Sequence, residues 1–146
     1  MIERGSAMTH RIEIEPRYSE TDQMGIIYHA NYFSWFDIAR TRYVEQVGFK
    51  VHELEELGML FVVLKAEIQY KKPAVFGRDV VIDTTCIKYT GVRTGYEFLV
   101  KDKETEELLV RGYVELGSTN KDLRVIPVSR IAPELDEAYK GLVRKK

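Results

Sequence analysis

Between residues 18 and 32 the chain reads Tyr18-Ser19-Glu20-Thr21-Asp22-Gln23-Met24-Gly25-Ile26-Ile27-Tyr28-His29-Ala30-Asn31-Tyr32. Three features of this stretch bear on one kind of chemistry. Asp22 supplies a carboxylate, which can attack an electrophilic carbon or take a proton from water. Gly25 lets the backbone turn sharply or approach a ligand closely. The stretch then runs into an apolar, helix-periodic segment whose first N–H groups, at the positive end of the helix dipole, favour a developing oxyanion. A carboxylate and a helix N-terminus a few residues apart can flank one reacting carbonyl. The same residue types also have plainer uses. An Asp before a helix commonly closes a turn or caps the helix. His29 can be a capping or core histidine, and Tyr18 and Tyr28 core or interface aromatics. Residue types alone leave both readings open.

The elements that would position this loop follow from periodicity. Residues 10–17 alternate apolar and polar, with Ile12 and Ile14 on one face, as in a short half-buried strand. Residues 31–47 carry Tyr32, Phe36, Ala39, Tyr43 and Val47 at spacings of three and four, with Trp35 beside them, which predicts a long helix with a broad apolar stripe. Phe33 and Ile38 add apolar surface elsewhere on the same cylinder, the mark of a central helix. Asn31 is the expected N-cap, and Gly48 suits the left-handed position past the end. A short helix is expected over 51–57. The period then changes to two, giving strands at 61–71, 79–90, 93–102 and 107–118, with Gly112 in mid-strand marking a bulge or a close approach to the helix. A final, mostly polar helix is expected over 133–144. This order, strand, helix and then four sequential strands, predicts an α+β domain whose antiparallel sheet wraps around the long helix.

Bulk properties exclude several classes. The chain has 146 residues, 45% hydrophobic and 31% charged, which fits one soluble globular domain. No internal repeat or Pro/Gly-rich linker divides it. Residues 1–9 read as a flexible lead and 10–146 as the single domain. A net charge of −1 gives no global basic field for nucleic acid or an anionic membrane. The single cysteine, Cys86, cannot form an internal disulfide or a cysteine-based zinc site, and it sits in a strand-like run as a packed thiol. No metal site is expected. The N-terminus lacks a signal-peptide core, and no stretch approaches the ~18 apolar residues of a membrane span. The expected address is the cytoplasm.

Taken whole, the loop resembles the signature of the 4-hydroxybenzoyl-CoA thioesterase-like family of hotdog-fold enzymes, especially the branch associated with the Tol-Pal system. The residues that carry the resemblance are Tyr18, Glu20-Thr21-Asp22, Gly25, Tyr28-His29, Asn31-Tyr32 and Trp35-Phe36. A second match runs from Phe61-Val62-Val63 through Tyr70 and Pro73-Ala74 to Gly77-Arg78-Asp79, so the likeness spans about residues 10–120. It implies a hotdog fold and hydrolysis of acyl-CoA thioesters, with coenzyme A as part of the substrate and no separate cofactor. It implies homodimers or homotetramers with active sites at the dimer interface. The family's catalytic carboxylate falls on Asp22, and the amide that polarises the carbonyl falls at His29. The Tol-Pal branch's tyrosine and histidine fall on Tyr18 and His29, Tyr18 orienting Asp22. Gly25, Tyr28 and Asn31 fall in the substrate-binding loop. Arg93, with Lys88 and Lys121 as weaker candidates, lies where the family places basic residues against the nucleotide. The consecutive basic run of some aromatic-acyl members is missing there, which argues against 4-hydroxybenzoyl-CoA itself. Trp35, Phe61 and Tyr70 are expected along the acyl tunnel. The same site would serve a thioesterase acting on acyl carrier protein. A non-catalytic acyl-binding protein is the other alternative, for which loss of the loop carboxylate would be the sign.

Overall fold

The computed structural model describes residues 8–143. In chain order these form β1 (Thr9–Ile14), a 3-10 turn (Tyr18–Glu20), α1 (Asn31–Val47), α2 (Val51–Glu56), β2 (Leu60–Tyr70), β3 (Val80–Tyr89), β4 (Arg93–Asp102), β5 (Leu108–Thr119), α3 (Val128–Ile131) and α4 (Pro133–Leu142). The strands make one antiparallel sheet in the order β1-β3-β4-β5-β2. Strands β3, β4 and β5 follow one another through tight turns. β2 closes one edge beside β5, and β1 the other beside β3.

The long helix α1 is the centre of the core, as its all-round apolar pattern predicts. Tyr32, Trp35, Phe36, Ala39, Tyr43 and Val44 are buried, while Val47 is half-buried and Ile38 is exposed. Each large apolar side chain so buried stabilises the fold by roughly 1.5–3 kcal/mol. Phe36 stacks on Phe98 of β4 with centroids 4.5 Å apart. A Cβ at Gly112 of β5 would run into the Phe36 ring. That mid-strand glycine therefore marks a close approach of sheet to helix, and the strand carries no register shift there. Gly48 ends the helix at φ +116°, its N–H donating to the carbonyls of Val44 and Glu45.

Three expectations are corrected. Asn31 is the first helical residue and not the N-cap; Ala30 takes that place, and the Asn31 amide is used elsewhere. The C-terminal helix is not mostly polar in its packing, because Leu135, Tyr139 and Leu142 recur at spacings of four and three and are all buried. Thr9 already belongs to β1 and Met8 packs against the core, while residues 1–7 of the proposed lead lie outside the described residues. The short α3 was not foreseen, four residues being too few to show a period.

Candidate active site

The loop between β1 and α1 folds into a small hairpin. Thr21 pairs with Ile27, and the Asp22 N–H donates to the Ile26 carbonyl at 2.8 Å. The Gly25 N–H donates back to the Asp22 carbonyl at 3.2 Å, and Gly25 has φ +78°. This is a three-residue hairpin loop whose last position must be left-handed, so glycine there has a backbone reason. The Met24 N–H donates to Asp22 Oδ1 at 2.7 Å, an Asx turn that fixes the carboxylate on the loop. Among the described residues the other carboxylate oxygen has no hydrogen-bond partner.

The hairpin is docked on both sides. Ile26 pairs with Val75, and the Ile27 N–H donates to the Ala74 carbonyl at 2.9 Å. The Ala74 N–H in turn donates to the Tyr32 hydroxyl at 3.0 Å. Toward the helix, the Tyr28 N–H donates to the Glu20 carbonyl at 2.9 Å, and Asn31 Nδ2 donates to the same oxygen at 2.8 Å. The Glu20 carboxylate accepts the Trp35 indole N–H at 2.9 Å and the Arg17 N–H at 2.8 Å. Burial pushes this carboxyl up, but the Arg17 N–H, the Trp35 indole and the Arg17 charge outweigh it and hold it below the usual range.

The peptides at the helix entrance are pinned by their carbonyls. The Tyr28 carbonyl accepts the Asn31 N–H at 2.9 Å, and the His29 carbonyl accepts the Tyr70 hydroxyl at 3.1 Å. Among the described residues nothing accepts from the N–H groups of His29 and Ala30. The His29 ring packs on Tyr28, centroids 4.3 Å apart. Burial pushes the phenols of Tyr32 and Tyr70 up, so both remain neutral donors and acceptors.

Asp22 and His29 line one open cleft of about 330 Å³, together with Ile26, Ile27, Tyr32 and Tyr70 and the run Lys71-Lys72-Pro73. The structure thus brings two of the three sequence-derived candidates together. It does not bring the third. Tyr18 is 74% exposed with its ring edge-on to Phe76, and its hydroxyl has no partner among the described residues. Arg93 is not at the cleft either; it pairs at 3.1 Å with Glu115, as Lys88 does at 3.0 Å. With the Tyr113 hydroxyl, these two cations hold the Glu115 carboxyl down at about 2. Of the tunnel candidates, Tyr70 lines the cleft, Phe61 is half-buried, and Trp35 is buried and engaged with Glu20.

Residues 24–109 match the thioesterase superfamily. The chain belongs to that family. The thioesterase is 34% identical over 127 residues to the "Putative acyl-CoA thioesterase YneP" of Bacillus subtilis (strain 168), covering 87% of this chain and 92% of the relative. It is 30% identical over 98 residues to the "Acyl-CoA thioesterase YbgC" of Haemophilus influenzae, covering 66% of this chain and 69% of that one. Its structure superimposes on the DHNA-CoA thioesterase of Staphylococcus aureus with a TM-score of 0.87 and 35% identity, over 90% of this chain and 89% of the other. The thioesterase has the hotdog fold that the motif implied, with α1 as the enclosed helix and the antiparallel sheet around it. Sequence reading of this thioesterase passed over Glu20 as an anchor and the lysine pair at the cleft wall. The pair did leave a signal, since Lys71-Lys72-Pro73 breaks the alternation at the end of β2. Glu20 left none, because its indole partner lies fifteen residues on, across a tertiary contact.

Proposed function

We propose that the protein hydrolyses acyl-CoA thioesters in the Asp22 cleft. The observation that carries the reading is the presence, in one cleft, of a carboxylate held by one oxygen and a helix entrance whose His29 N–H has no acceptor among the described residues. The thioester carbonyl lies against that N–H, and the charge that builds on its oxygen is stabilised by it; one well-aimed donor of this kind is worth about 10²–10³ in rate. Asp22 uses its uncommitted oxygen in one of two ways. It attacks the carbonyl carbon, forming a mixed anhydride as the C–S bond breaks and CoA leaves as thiolate, after which water cleaves the anhydride. Alternatively it takes a proton from a water that attacks directly, and the C–S bond breaks in the same sense. Label found in the Asp22 carboxylate after a single turnover in ¹⁸O water would establish the first route, because it enters there only when water attacks the anhydride at its Asp22 carbon. Gly25, Tyr28 and Asn31 act through the loop: the glycine by its turn, Tyr28 by packing on His29, and Asn31 by its bond to Glu20. Membership of the branch that includes YbgC is supported by partial matches, alongside the longer match to YneP. The Staphylococcus relative makes an aromatic acyl group a substrate to include.

The test is thiol release from a panel of short, long and aromatic acyl-CoAs by wild type and Asp22→Asn. An amide can neither attack nor take a proton, so turnover should fall at least about 10²-fold with the fold retained. Near-native turnover would remove Asp22 from the mechanism. Silence of the wild type across the panel would turn the assignment to a carrier-protein thioester.

A further inference from the structure

We infer that Glu20 is a positioning residue for the hydrolysis, its carboxylate fastening the loop that carries Asp22 to the helix whose entrance presents the His29 amide. The inference builds on the roles of Asp22 and His29 given above.

The Asp22 hairpin is held at its base, and the base converges on one residue. The Glu20 carbonyl accepts from the Tyr28 N–H at 2.9 Å and from Asn31 Nδ2 at 2.8 Å. The chain entering the hairpin and the chain leaving it for α1 therefore meet on a single oxygen, two residues before Asp22 and one residue from His29. A carbonyl is only as well placed as the residue that bears it. Glu20 is placed by its side chain: Oε2 accepts the Trp35 indole N–H at 2.9 Å, Oε1 accepts the Arg17 N–H at 2.8 Å, and the Arg17 guanidinium lies 3.5 Å away. Trp35 is 1% exposed on the second turn of α1, where the surrounding core fixes its ring. The line from Asp22 through Glu20 to Trp35 thus ends on the same helix that orients the His29 N–H.

Chemistry makes such a tie worthwhile. Burying a carboxylate to 8% exposure is costly unless donors compensate it, and an apolar side chain would fill the same space without that cost. What the carboxylate adds is direction, since its bonds to the indole and to Arg17 fix where the Glu20 carbonyl points. Direction matters because a displacement of about 1 Å between reacting groups can cost on the order of 10² in rate.

The test measures kcat and KM for one accepted acyl-CoA with wild type, Asp22→Asn, Glu20→Ala, Glu20→Gln, Trp35→Phe and the Glu20→Ala/Trp35→Phe pair. Glu20→Ala should lower kcat about 10–100-fold while KM stays within about threefold and the far-ultraviolet circular dichroism is unchanged. Glu20→Gln keeps an acceptor for the indole and should recover most of the loss. The double variant should lose no more than the worse single one, because the two residues act through one bond. Where Glu20→Ala does not fold, Trp35→Phe keeps an aromatic ring in the core, removes the donor with part of the indole's volume, and gives the same readout. Asp22→Asn crippled with Glu20→Ala and Trp35→Phe at wild-type kcat would overturn this inference alone, as would a loss confined to KM. Asp22→Asn at wild-type turnover would overturn the reading of the cleft and this inference with it.

Discussion

Asp83 of β3 and Glu20 are both nearly buried carboxylates, and each is accounted for by its donors. Both oxygens of Asp83 accept from the Arg11 guanidinium, at 2.7 and 2.9 Å, and Lys101 lies at 3.0 Å. The Arg11 bonds, with Lys101, outweigh burial and lower the Asp83 carboxyl from 3.8 to about 2. A carboxyl depressed by folding adds stability above its unfolded pKa and loses it as protonation overtakes the folded form. The denaturant midpoint should therefore fall as pH drops from about 3.8 toward about 2, and Asp83→Asn should show a shallower fall across that window. An equal slope in the two proteins would show that this pairing does not contribute. At this scale the sequence was legible where chemistry is local. Asp22, Gly25 and His29 stand in one short stretch, and the structure brings Asp22 and His29 into one cleft. It was illegible where a role depends on a distant partner. Nothing near Tyr18 says that its ring leans on Phe76, or near Arg93 that it neutralises Glu115.

Among the elements, two hairpin tips share one backbone design and put different kinds of residue at its left-handed position. At the Asp22 tip, N–H bonds run from Asp22 to Ile26 and from Gly25 to Asp22, with the Asp22 side chain taking the Met24 N–H. Beyond β5, the Asn120 N–H donates to the Arg124 carbonyl and the Leu123 N–H to the Asn120 carbonyl, while Asn120 Oδ1 takes the Asp122 N–H. The position filled by Gly25 in the first is filled by Leu123 in the second, at φ 62° and 65% exposed. A side chain in that region costs roughly 1–2 kcal/mol, whereas the extra chain entropy of glycine costs roughly 0.5–1 kcal/mol. Leu123→Gly should therefore raise stability by about 0.5–1 kcal/mol, seen as a higher denaturant midpoint at unchanged slope. A lower midpoint would mean that Leu123 makes a contact that offsets its strain. Periodicity revealed the strands and α1 because each runs long enough to show its period. It misjudged α4, whose polar composition hides a buried stripe of Leu135, Tyr139 and Leu142.

For the molecule as a whole, the open question is what lies beside β2. This strand runs from Leu60 to Tyr70, pairs with β5 along one side, and has no strand on its other side among the described residues. Val63, Leu64 and Tyr70 on it are 60%, 50% and 49% exposed, and Tyr70 also holds the His29 carbonyl. Two protomers joined along this edge would cover those side chains and bring each Asp22 cleft next to the seam, since Tyr70 lines it. Size-exclusion with light scattering should give a dimer or tetramer as the active species. A stable, fully active monomer would contradict an interface site.

The same edge also bears on how the chain is made. Leu60-Phe61-Val62-Val63-Leu64 is an uncharged run of β-favouring residues without proline, at the end of a long and nearly open strand. Charges arrive only afterwards, at Lys65 and Glu67. A newly synthesised copy with this ribbon uncovered is a template for aggregation, so refolding yield should rise the sooner the edge finds a cover.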